Sequence, residues 1–351
     1  MRVVLVGTGV EPIPPSGYGG VERTIAELQR ALQSAGEEVT VLHQAVGGRL
    51  GEYRFALGLL GLLRAVPHDV VHASTPVVAN RLALAGIPFV YTSHSRHWFL
   101  VRGPTQRWGR WLERRAVRDA TIAIALTDRV RGRMEAMVPS RRRAELRVVP
   151  IGVDPTQFRP GTALGDPTVA LGVGAVIPAK RWELAGRALA GTRVRLRIVG
   201  PVVDSEYGRT VVASGPVELL GEMDSEGLTR EYQASGFLLH PSAVELLSGV
   251  VLQAMASGLP VVGADPIAPV IDEGVTGFVA PPTATSDEIV DHLRRWSERL
   301  SSDESLRRSV GSAARRAVEE RFGWRPVAEA HRAIYRQAVA LGATRARSRR
   351  P

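Results

Sequence analysis

Short apolar runs alternate with helical segments along this chain, and the alternation restricts the fold more than any other feature of the sequence. Four apolar runs in the first half are predicted to be buried strands: 3–6, 39–42, 70–72 and 89–91. After the first of them, apolar residues recur at helical spacing from Val21 to Leu32, and Gly36 is placed to end that helix. Short apolar strands separated by helices predict a parallel sheet with helices on both faces.

The same pattern restarts in the second half, after a segment rich in Pro, Gly and Thr at 154–167. Its predicted strands are 169–173, 196–199, 237–239 and 260–262. We therefore predict an α/β protein of two doubly wound, Rossmann-like domains that face each other across a cleft. The predicted parts are an N-terminal domain at 1–160, a C-terminal domain at 165–324, a helix at 325–341 that crosses back to the N-terminal domain, and a disordered arginine-rich tail at 342–351.

The composition excludes several classes of protein. The chain has no cysteine, so disulfides, thiolate chemistry and cysteine-bound metals are excluded. The longest apolar stretch, 55–63, is far shorter than the ~20 residues that span a bilayer, and no secretory signal is visible. We therefore expect a cytoplasmic protein. The net charge of +10 is uneven, since residues 1–150 hold 21 arginines against 12 acidic residues.

Most of the excess positive charge lies between residues 96 and 147 and includes one stripe of a predicted helix. The stripe consists of Arg107, Arg110, Arg114 and Arg118. With Trp108 and Trp111 beside it, the stripe is typical of an interfacial helix on an anionic membrane. Such a helix would make the protein peripheral at the inner face of the plasma membrane. It would also bring an acceptor near these arginines. The alternative, which we favour, is a core helix with a charged outer face and both tryptophans packed inward. Nucleic-acid binding is not expected, because no recognition motif accompanies the charge.

Among 45 basic residues the chain has a single lysine, Lys180. It lies just after the predicted strand 169–173, in the segment GAVIPAKR at 174–181. A compact ammonium on a flexible stem suits a phosphate better than a planar guanidinium where space is tight. We therefore interpret Lys180 as a candidate phosphate-binding residue, the alternative being a surface lysine without a role.

The densest group of candidate residues runs from 240 to 258. The predicted strand 237–239 ends at His240, Glu245 lies in the loop that follows, and Ser248 is a good N-cap for a helix that stops at Gly258. The start of that helix offers free backbone N–H groups and the positive end of the helix dipole to an anion. Gln253 lies one turn further on, where its amide reaches a sugar hydroxyl. The alternative is a helix packed on a sheet whose polar residues only cap and solvate it.

These motifs resemble those of the family-4 retaining glycosyltransferases of the GT-B fold, and the resemblance covers almost the whole chain. The family pattern of Pro-Ser, Glu and a second acidic residue eight positions later matches Pro241, Ser242, Glu245 and Gln253. The matching segments are AMASGLPVV at 254–262, VPIGVD at 149–154, GVTGFV at 274–279, GGVE at 19–22 and FGW at 322–324.

The resemblance implies a role for each matching residue. The donor-site residues are Gly19, Gly20, Lys180, Arg181, Glu245, Ser248, Gly249, Val250 and Gln253. Lys180 would neutralise the donor diphosphate, Glu245 would contact the donor sugar, and the backbone N–H groups of 248–250 would bind sugar hydroxyls or phosphate. Gln253 takes the position of the acidic residue that holds the ribose, and the two glycines let the first loop approach the diphosphate. His94 matches a histidine that borders the reacting sugar and joins Lys180 and Glu245 as catalytic; by itself it is interpreted as a loop histidine bonded to backbone.

The activity that the resemblance implies is transfer of a sugar from a nucleoside-diphosphate sugar with retention of configuration. A lysine and a helix N-terminus can stabilise the leaving phosphate without a metal ion, so neither a metal nor another cofactor is expected. The acceptor is a small molecule, a natural product, or a lipid or cell-envelope component.

Four positions depart from the family pattern. The arginine five residues before the lysine is Ala175, the second acidic residue is Gln253, a later glutamate is Pro269, and the asparagine of a Pro-Asn-Gly motif is Ile151. Arg181 partly replaces the missing arginine in this interpretation. Because most of these changes touch the donor site, the alternative function is a catalytically silent partner subunit that has lost its donor contacts.

Overall fold

The computed structural model describes residues 1–15, 19–44, 50–94 and 104–348. The chain forms two compact units. The first consists of Met1–Gly152 together with the chain from Trp324 onward, and the second is Val153–Gly323.

The first unit is built on a parallel sheet. Its strands and helices, in chain order, are β1 (Arg2–Val6), α1 (Gly20–Ser34), β2 (Glu38–Leu42), α2 (Gly51–Arg64), β3 (Val70–Ala73), α3 (Pro76–Leu84), β4 (Val90–Thr92), α4 (Pro104–Asp119), β5 (Ile122–Ala125), α5 (Asp128–Met137) and β6 (Glu145–Val148). Within the described residues the strand order is β2-β1-β3-β4-β5-β6, with every pair parallel. The order therefore reverses direction between β1 and β3.

The second unit repeats this plan with a different strand order. Its elements are β7 (Asp166–Val173), α6 (Trp182–Leu189), β8 (Arg195–Val199), α7 (Ser205–Ala213), β9 (Val217–Gly221), α8 (Ser225–Ala234), β10 (Ser235–His240), α9 (Gly249–Ala256), β11 (Val261–Ala264), β12 (Gly277–Ala280), α10 (Ser286–Ser302) and α11 (Glu304–Arg321). Among the described residues the order is β12-β11-β10-β7-β8-β9, again all parallel. The two strands at the reversal, β7 and β10, lie side by side, so the loops that follow them meet at the point where ligands of such sheets bind.

The predicted fold class is confirmed, because both units are doubly wound α/β structures. All eight predicted strands are present, since uninterrupted apolar runs are buried on both faces of a parallel sheet. Four further strands, β5, β6, β9 and β12, were not predicted; every side chain of β6 and β9 is exposed or half-buried, so neither strand has a buried apolar run.

The last helix belongs to the first unit and is longer than predicted. It is α12 (Trp324–Ser348), which packs against α1 and places Arg332 Nε 2.6 Å from Glu37 Oε1. The predicted disordered tail starts at residue 342, but α12 continues through Ser348, because Ala and Arg favour helix and a single Gly342 costs only about 1 kcal/mol. The rest of the predicted tail, 349–351, lies outside the described residues.

The division between the units falls at Gly152, ahead of the segment 154–167 in which the sequence analysis placed it. The backbone N–H of Val153 donates to Phe322 O at 2.9 Å, and the buried ring of Phe158 packs edge-on against Tyr232. These contacts attach 153–160 to the second unit.

Candidate functional site

The loop after β7 carries Lys180 and is held close to the sheet. Gly174 has φ +142°, and Gly200, with φ +148°, approaches so closely that a Cβ there would lie 2.2 Å from Gly174 O. The indole Nε1 of the buried Trp182 donates to Ala175 O at 3.1 Å. The loop that carries Lys180 is therefore held at both of its ends, at Gly174 and at Trp182.

The loop after β10 carries Glu245 and is joined to the Lys180 loop by backbone and guanidinium hydrogen bonds. Ala243 N donates to Ala179 O at 2.9 Å. Arg181 Nε donates to Pro241 O at 2.7 Å and its Nη2 to Ser242 O at 3.1 Å. Arg181 itself has φ +53°, a left-handed conformation that these bonds stabilise. Arg181, predicted to bind the donor, therefore holds the two loops together.

Lys180 and Glu245 form an ion pair, and a histidine completes the group. Lys180 Nζ lies 2.6 Å from Glu245 Oε1, and His240 Nε2 lies 2.9 Å from the same oxygen. The side chains of Lys180 and Glu245 are 16% and 13% exposed, whereas His240 is fully buried. Two predicted catalytic residues, 65 positions apart in the chain, thus meet at the strand reversal of the second unit.

The electrostatics of this group follow from burial and from the Lys180 charge. Burial alone would raise the pKa of Glu245, but the ammonium of Lys180 and the hydrogen bond from His240 lower it to about 2. Burial lowers the pKa of His240, against the effect of Glu245. Because an ionised carboxylate only accepts hydrogen bonds, Nε2 of a neutral His240 must be the donor, and the buried Nδ1 has no partner among the described atoms.

Helix α9 begins beside this group. Ser248 is its N-cap, and its Oγ accepts from Val251 N at 3.4 Å, while Gly249 and Val250 form the half-buried first turn. One turn further, Gln253 Oε1 lies 3.2 Å from the hydroxyl of Tyr232. Every predicted donor-site residue of the second unit therefore lies in the two loops after β7 and β10 or in the first two turns of α9.

His94 lies in the first unit, directly after β4, and belongs to a group of histidines. His72 on β3 is fully buried, with Nδ1 2.7 Å from Tyr335 Oη and Nε2 2.7 Å from Thr92 Oγ1. Its ring centroid lies 5.7 Å from that of His331 on α12. Burial, with the neighbouring charge of His331, lowers the pKa of His94 to about 4. His94 is therefore a neutral imidazole at physiological pH.

The two glycines at the start of α1, Gly19 and Gly20, differ in their surroundings. A Cβ on Gly19 would lie 2.9 Å from Pro15 Cβ, whereas a Cβ on Gly20 would have no atom of the described residues within 4 Å. The adjacent Glu22 is buried and accepts a hydrogen bond from Thr8 Oγ1 at 2.5 Å. Gly19 is thus required by local packing, whereas no contact of the described residues requires a glycine at position 20.

Helix α4 presents both its arginines and its tryptophans to solvent. The predicted stripe is exposed at all four positions: Arg107, Arg110, Arg114 and Arg118. Trp108 and Trp111 are 49% and 44% exposed and stack with a centroid distance of 4.8 Å. The favoured interpretation, in which both tryptophans pack inward, is wrong. Ala116 and Val117, together with Leu112, supply the buried face instead.

Sequence reasoning missed two members of the site, His240 as a functional residue and Tyr232. His240 could have been found, because a polar residue that ends an otherwise apolar strand points to the carboxyl edge of the sheet. Tyr232 carried no such signal, since only the fold brings α8 against α9.

The described ranges contain neither a cluster of metal ligands nor a membrane-spanning helix. Within 1–15, 19–44, 50–94 and 104–348, no group of three or more His, Asp or Glu is placed to hold a metal ion. Among the helices of those ranges, none combines the length and the apolar character needed to cross a bilayer.

Two Rossmann-type units, with a cation and a helix start at the strand reversal of the second, have the architecture of a GT-B glycosyltransferase. A family sequence model described as Glycosyltransferase Family 4 matches residues 18–157, and one described as Glycosyl transferases group 1 matches residues 167–299. The chain belongs to this family of glycosyltransferases, as the motifs predicted.

Relatives and solved structures agree with this assignment. The chain is 26% identical over 363 residues to the sulfoquinovosyl transferase SQD2 of Arabidopsis thaliana, covering 90% of this chain and 70% of the relative. Its fold is similar to that of the sucrose-phosphate synthase of Thermosynechococcus elongatus, with a TM-score of 0.81, 18% identity and coverage of 97% and 99%. It is also similar to HepE of Anabaena in complex with UDP and glucose, with a TM-score of 0.72, 17% identity and coverage of 96% and 100%.

Proposed function

We propose that this glycosyltransferase transfers a sugar from a nucleoside-diphosphate sugar to an acceptor hydroxyl, with retention of configuration and without a metal ion. The observation that carries the proposal is the Lys180–Glu245 pair beside the start of α9, at the strand reversal of the second unit. The similarity to HepE, which was solved with UDP and glucose, favours a nucleoside-diphosphate donor.

The chemistry of the leaving group accounts for the cation. As the bond between the sugar and the phosphate breaks, negative charge develops on the diphosphate while the sugar becomes oxocarbenium-like. The Lys180 ammonium and the N–H groups of Gly249 and Val250 are fixed positive charge and dipoles that stabilise this charge without reorganisation. They supply the electrostatic role that a metal ion has in other phosphate-transfer sites.

The state of Glu245 favours direct attack over double displacement. A double-displacement mechanism requires a carboxylate that attacks the sugar. Glu245 is instead held by Lys180 and His240, which suits a carboxylate that accepts a hydrogen bond from a sugar hydroxyl. The acceptor, whether a small molecule, a natural product or an envelope lipid, is proposed to bind in the first unit, with His94 as a catalytic residue there.

Replacement of the lysine tests the proposal. Lys180→Ala should lower turnover about 10²–10³-fold, the range found when one transition-state donor is removed, without unfolding the protein. The matched control is Arg187→Ala, which removes an exposed cation paired with Asp287 at 2.7 Å. The assay donor is chosen by thermal unfolding against UDP, GDP, dTDP and ADP and their sugars. Unchanged turnover in Lys180→Ala would rule out its phosphate role, and absence of binding by every nucleotide would favour the silent-partner alternative.

A second candidate property is peripheral contact of α4 with an anionic membrane, and the exposed tryptophan pair favours it. Trp108 Nε1 lies 3.0 Å from Tyr53 Oη on α2, where Leu57 is also exposed, so aromatic and apolar surface from two helices adjoins the arginines. Aromatic side chains favour the headgroup region, and each arginine near an anionic surface adds about 1 kcal/mol.

Vesicle sedimentation tests the membrane contact. Binding should rise with the fraction of phosphatidylglycerol in phosphatidylcholine vesicles and fall in the double variant Trp108→Ala, Trp111→Ala. Val212→Ala, at an exposed apolar position of the second unit, is the control. Sedimentation that does not depend on anionic lipid would contradict the proposal.

A further inference from the structure

His240 is the member of the donor-site group to which no role has been given so far. It is the last residue of β10, its ring is fully buried, and it meets the ring of Trp182 edge-on at 6.4 Å. Of its two nitrogens only Nε2 has a strong partner, which is the carboxylate of Glu245. A buried imidazole with a single charged partner is fixed in orientation by that partner.

The two donors to Glu245 share one oxygen atom. Lys180 and His240 lie 2.6 and 2.9 Å from Oε1. A donor diphosphate needs the positive charge of Lys180, and the carboxylate of Glu245 competes for that charge. If Lys180 were its only partner, Glu245 would lose its compensation whenever a diphosphate bound, and an uncompensated buried charge is costly.

We propose that His240 is a positioning residue that keeps hold of Glu245 through Nε2–H when the donor diphosphate takes Lys180. The inference rests on the proposed function of the site. His240 thereby lets Lys180 exchange its partner without leaving Glu245 unpaired, and it keeps the carboxylate in place for a sugar hydroxyl.

Lys180 can exchange Glu245 for the diphosphate because the imidazole of His240 is neutral. Burial and the nearby Lys180 lower the pKa of His240, so the ring donates a hydrogen bond without adding a second positive charge. The negative charge of Glu245 then remains available to the sugar, and the positive charge of Lys180 is available to the phosphate. A second cation at this position would hold the carboxylate more strongly and neutralise it.

A double-mutant cycle, read by calorimetry with nucleoside diphosphates that carry no sugar, tests the inference. Wild type is first measured with UDP, GDP, dTDP and ADP, and the tightest of these is the probe. His240→Ala should weaken its binding about tenfold, because Glu245 then depends on Lys180 alone. Glu245→Gln should strengthen binding about threefold, because it removes the competing charge. In the Glu245→Gln background, His240→Ala should have no further effect.

Two conservative variants separate positioning from packing. His240→Gln places an N–H near the Nε2 position and should bind like wild type, whereas His240→Asn places it near Nδ1 and should behave like His240→Ala. This pair remains informative if His240→Ala fails to fold.

The outcomes are distinct. An equal loss from His240→Ala in both backgrounds, or equal behaviour of the Gln and Asn variants, would overturn the positioning role and leave His240 as a core residue. Absence of binding of all four diphosphates by wild type would overturn the proposed donor site, and the inference would fall with it.

Discussion

The carboxyl ends of the two sheets carry opposite kinds of polar group. In the second unit the loops after β7 and β10 bring together a lysine and a carboxylate, which are ionised and joined by 2.6 Å. In the first unit the ends of β3 and β4 carry His72 and His94, which burial keeps neutral. The second unit therefore has an ion pair at its strand reversal, whereas the first unit has neutral imidazoles at the ends of β3 and β4.

The difference between the two sheet edges shows that the sheet topology determines where a site lies. The side chains at that place determine what the site can bind. A diphosphate requires fixed positive charge, which Lys180 and the first turn of α9 supply. A hydroxyl acceptor requires groups that donate and accept without charge, and neutral imidazoles do both. Under the proposed function, the second unit binds the donor and the first unit binds the acceptor.

The largest expected effect concerns the shape of the cation in the second unit. Lys180→Arg keeps the charge, but the Lys180 side chain is only 16% exposed and its Nζ already lies 2.6 Å from Glu245 Oε1. A planar guanidinium requires more room and different bond directions than an ammonium. We expect turnover to fall about 10²-fold, measured as kcat with saturating donor. Turnover near the wild-type level would show that this site needs charge alone.

The next effect is the pH dependence of stability, which should differ between the units. The pKa values of His94 and His331 are lowered from 6.5 to about 4, so both histidines bind protons in the unfolded chain before they do in the folded one. Their stabilising contribution is present above pH 6.5 and is lost as the pH falls toward 4. By pH 5 the loss should be on the order of 1–2 kcal/mol for each histidine.

The second unit should withstand acid better. The pKa of Glu245 is lowered from 4.5 to about 2, so its contribution is lost only below pH 4.5. His240 and His292 there also have lowered pKa values, although Glu245 opposes the shift of His240. Hydrogen exchange resolved by peptide should show the first unit opening at higher pH than the second. His331→Gln, which removes one titrating group, should move that opening to lower pH, and simultaneous opening of both units would contradict this account.

The fold class was predictable from the sequence because eight of the twelve strands of the described residues were recognised from their apolar runs, although β5 and β12 are also buried and were not predicted. The sequence placed Lys180 just after the strand 169–173 and Glu245 in the loop after His240, and the family resemblance assigned both residues to the donor site. The sequence could not show in which direction a side chain points. Nothing in it indicates that Arg181 turns toward Pro241 and Ser242 through a left-handed backbone.

The tryptophans of α4 are an example, in the first unit, of what the sequence could not determine. The spacing of Trp108 and Trp111 fits either a buried or an exposed face. The choice depends on which residues of α4 meet the sheet and α3, and that contact is set by tertiary packing. Leu112, Ala116 and Val117 lie on the buried face, and the two tryptophan rings lie outside it.

The smallest expected effect concerns Gln253, in the proposed donor site of the second unit. Gln253 Oε1 lies 3.2 Å from the hydroxyl of Tyr232, so its side chain is oriented by a neutral contact. Gln253→Glu restores the carboxylate of the family pattern, which accepts hydrogen bonds from ribose hydroxyls more strongly than an amide does. We expect nucleoside-diphosphate affinity to rise about 3–10-fold by calorimetry, or roughly 1 kcal/mol.

Tyr232→Phe is the matched control for this last change, because it removes the hydroxyl that orients position 253 and keeps the ring packed against Phe158. If the tyrosine orients the new carboxylate, the gain from Gln253→Glu should shrink in the Tyr232→Phe background. Weaker binding by Gln253→Glu would mean that the neutral amide is the better partner for this donor. The departure from the family pattern would then be a specificity feature of the second unit, since the loss of a charge would have improved the site.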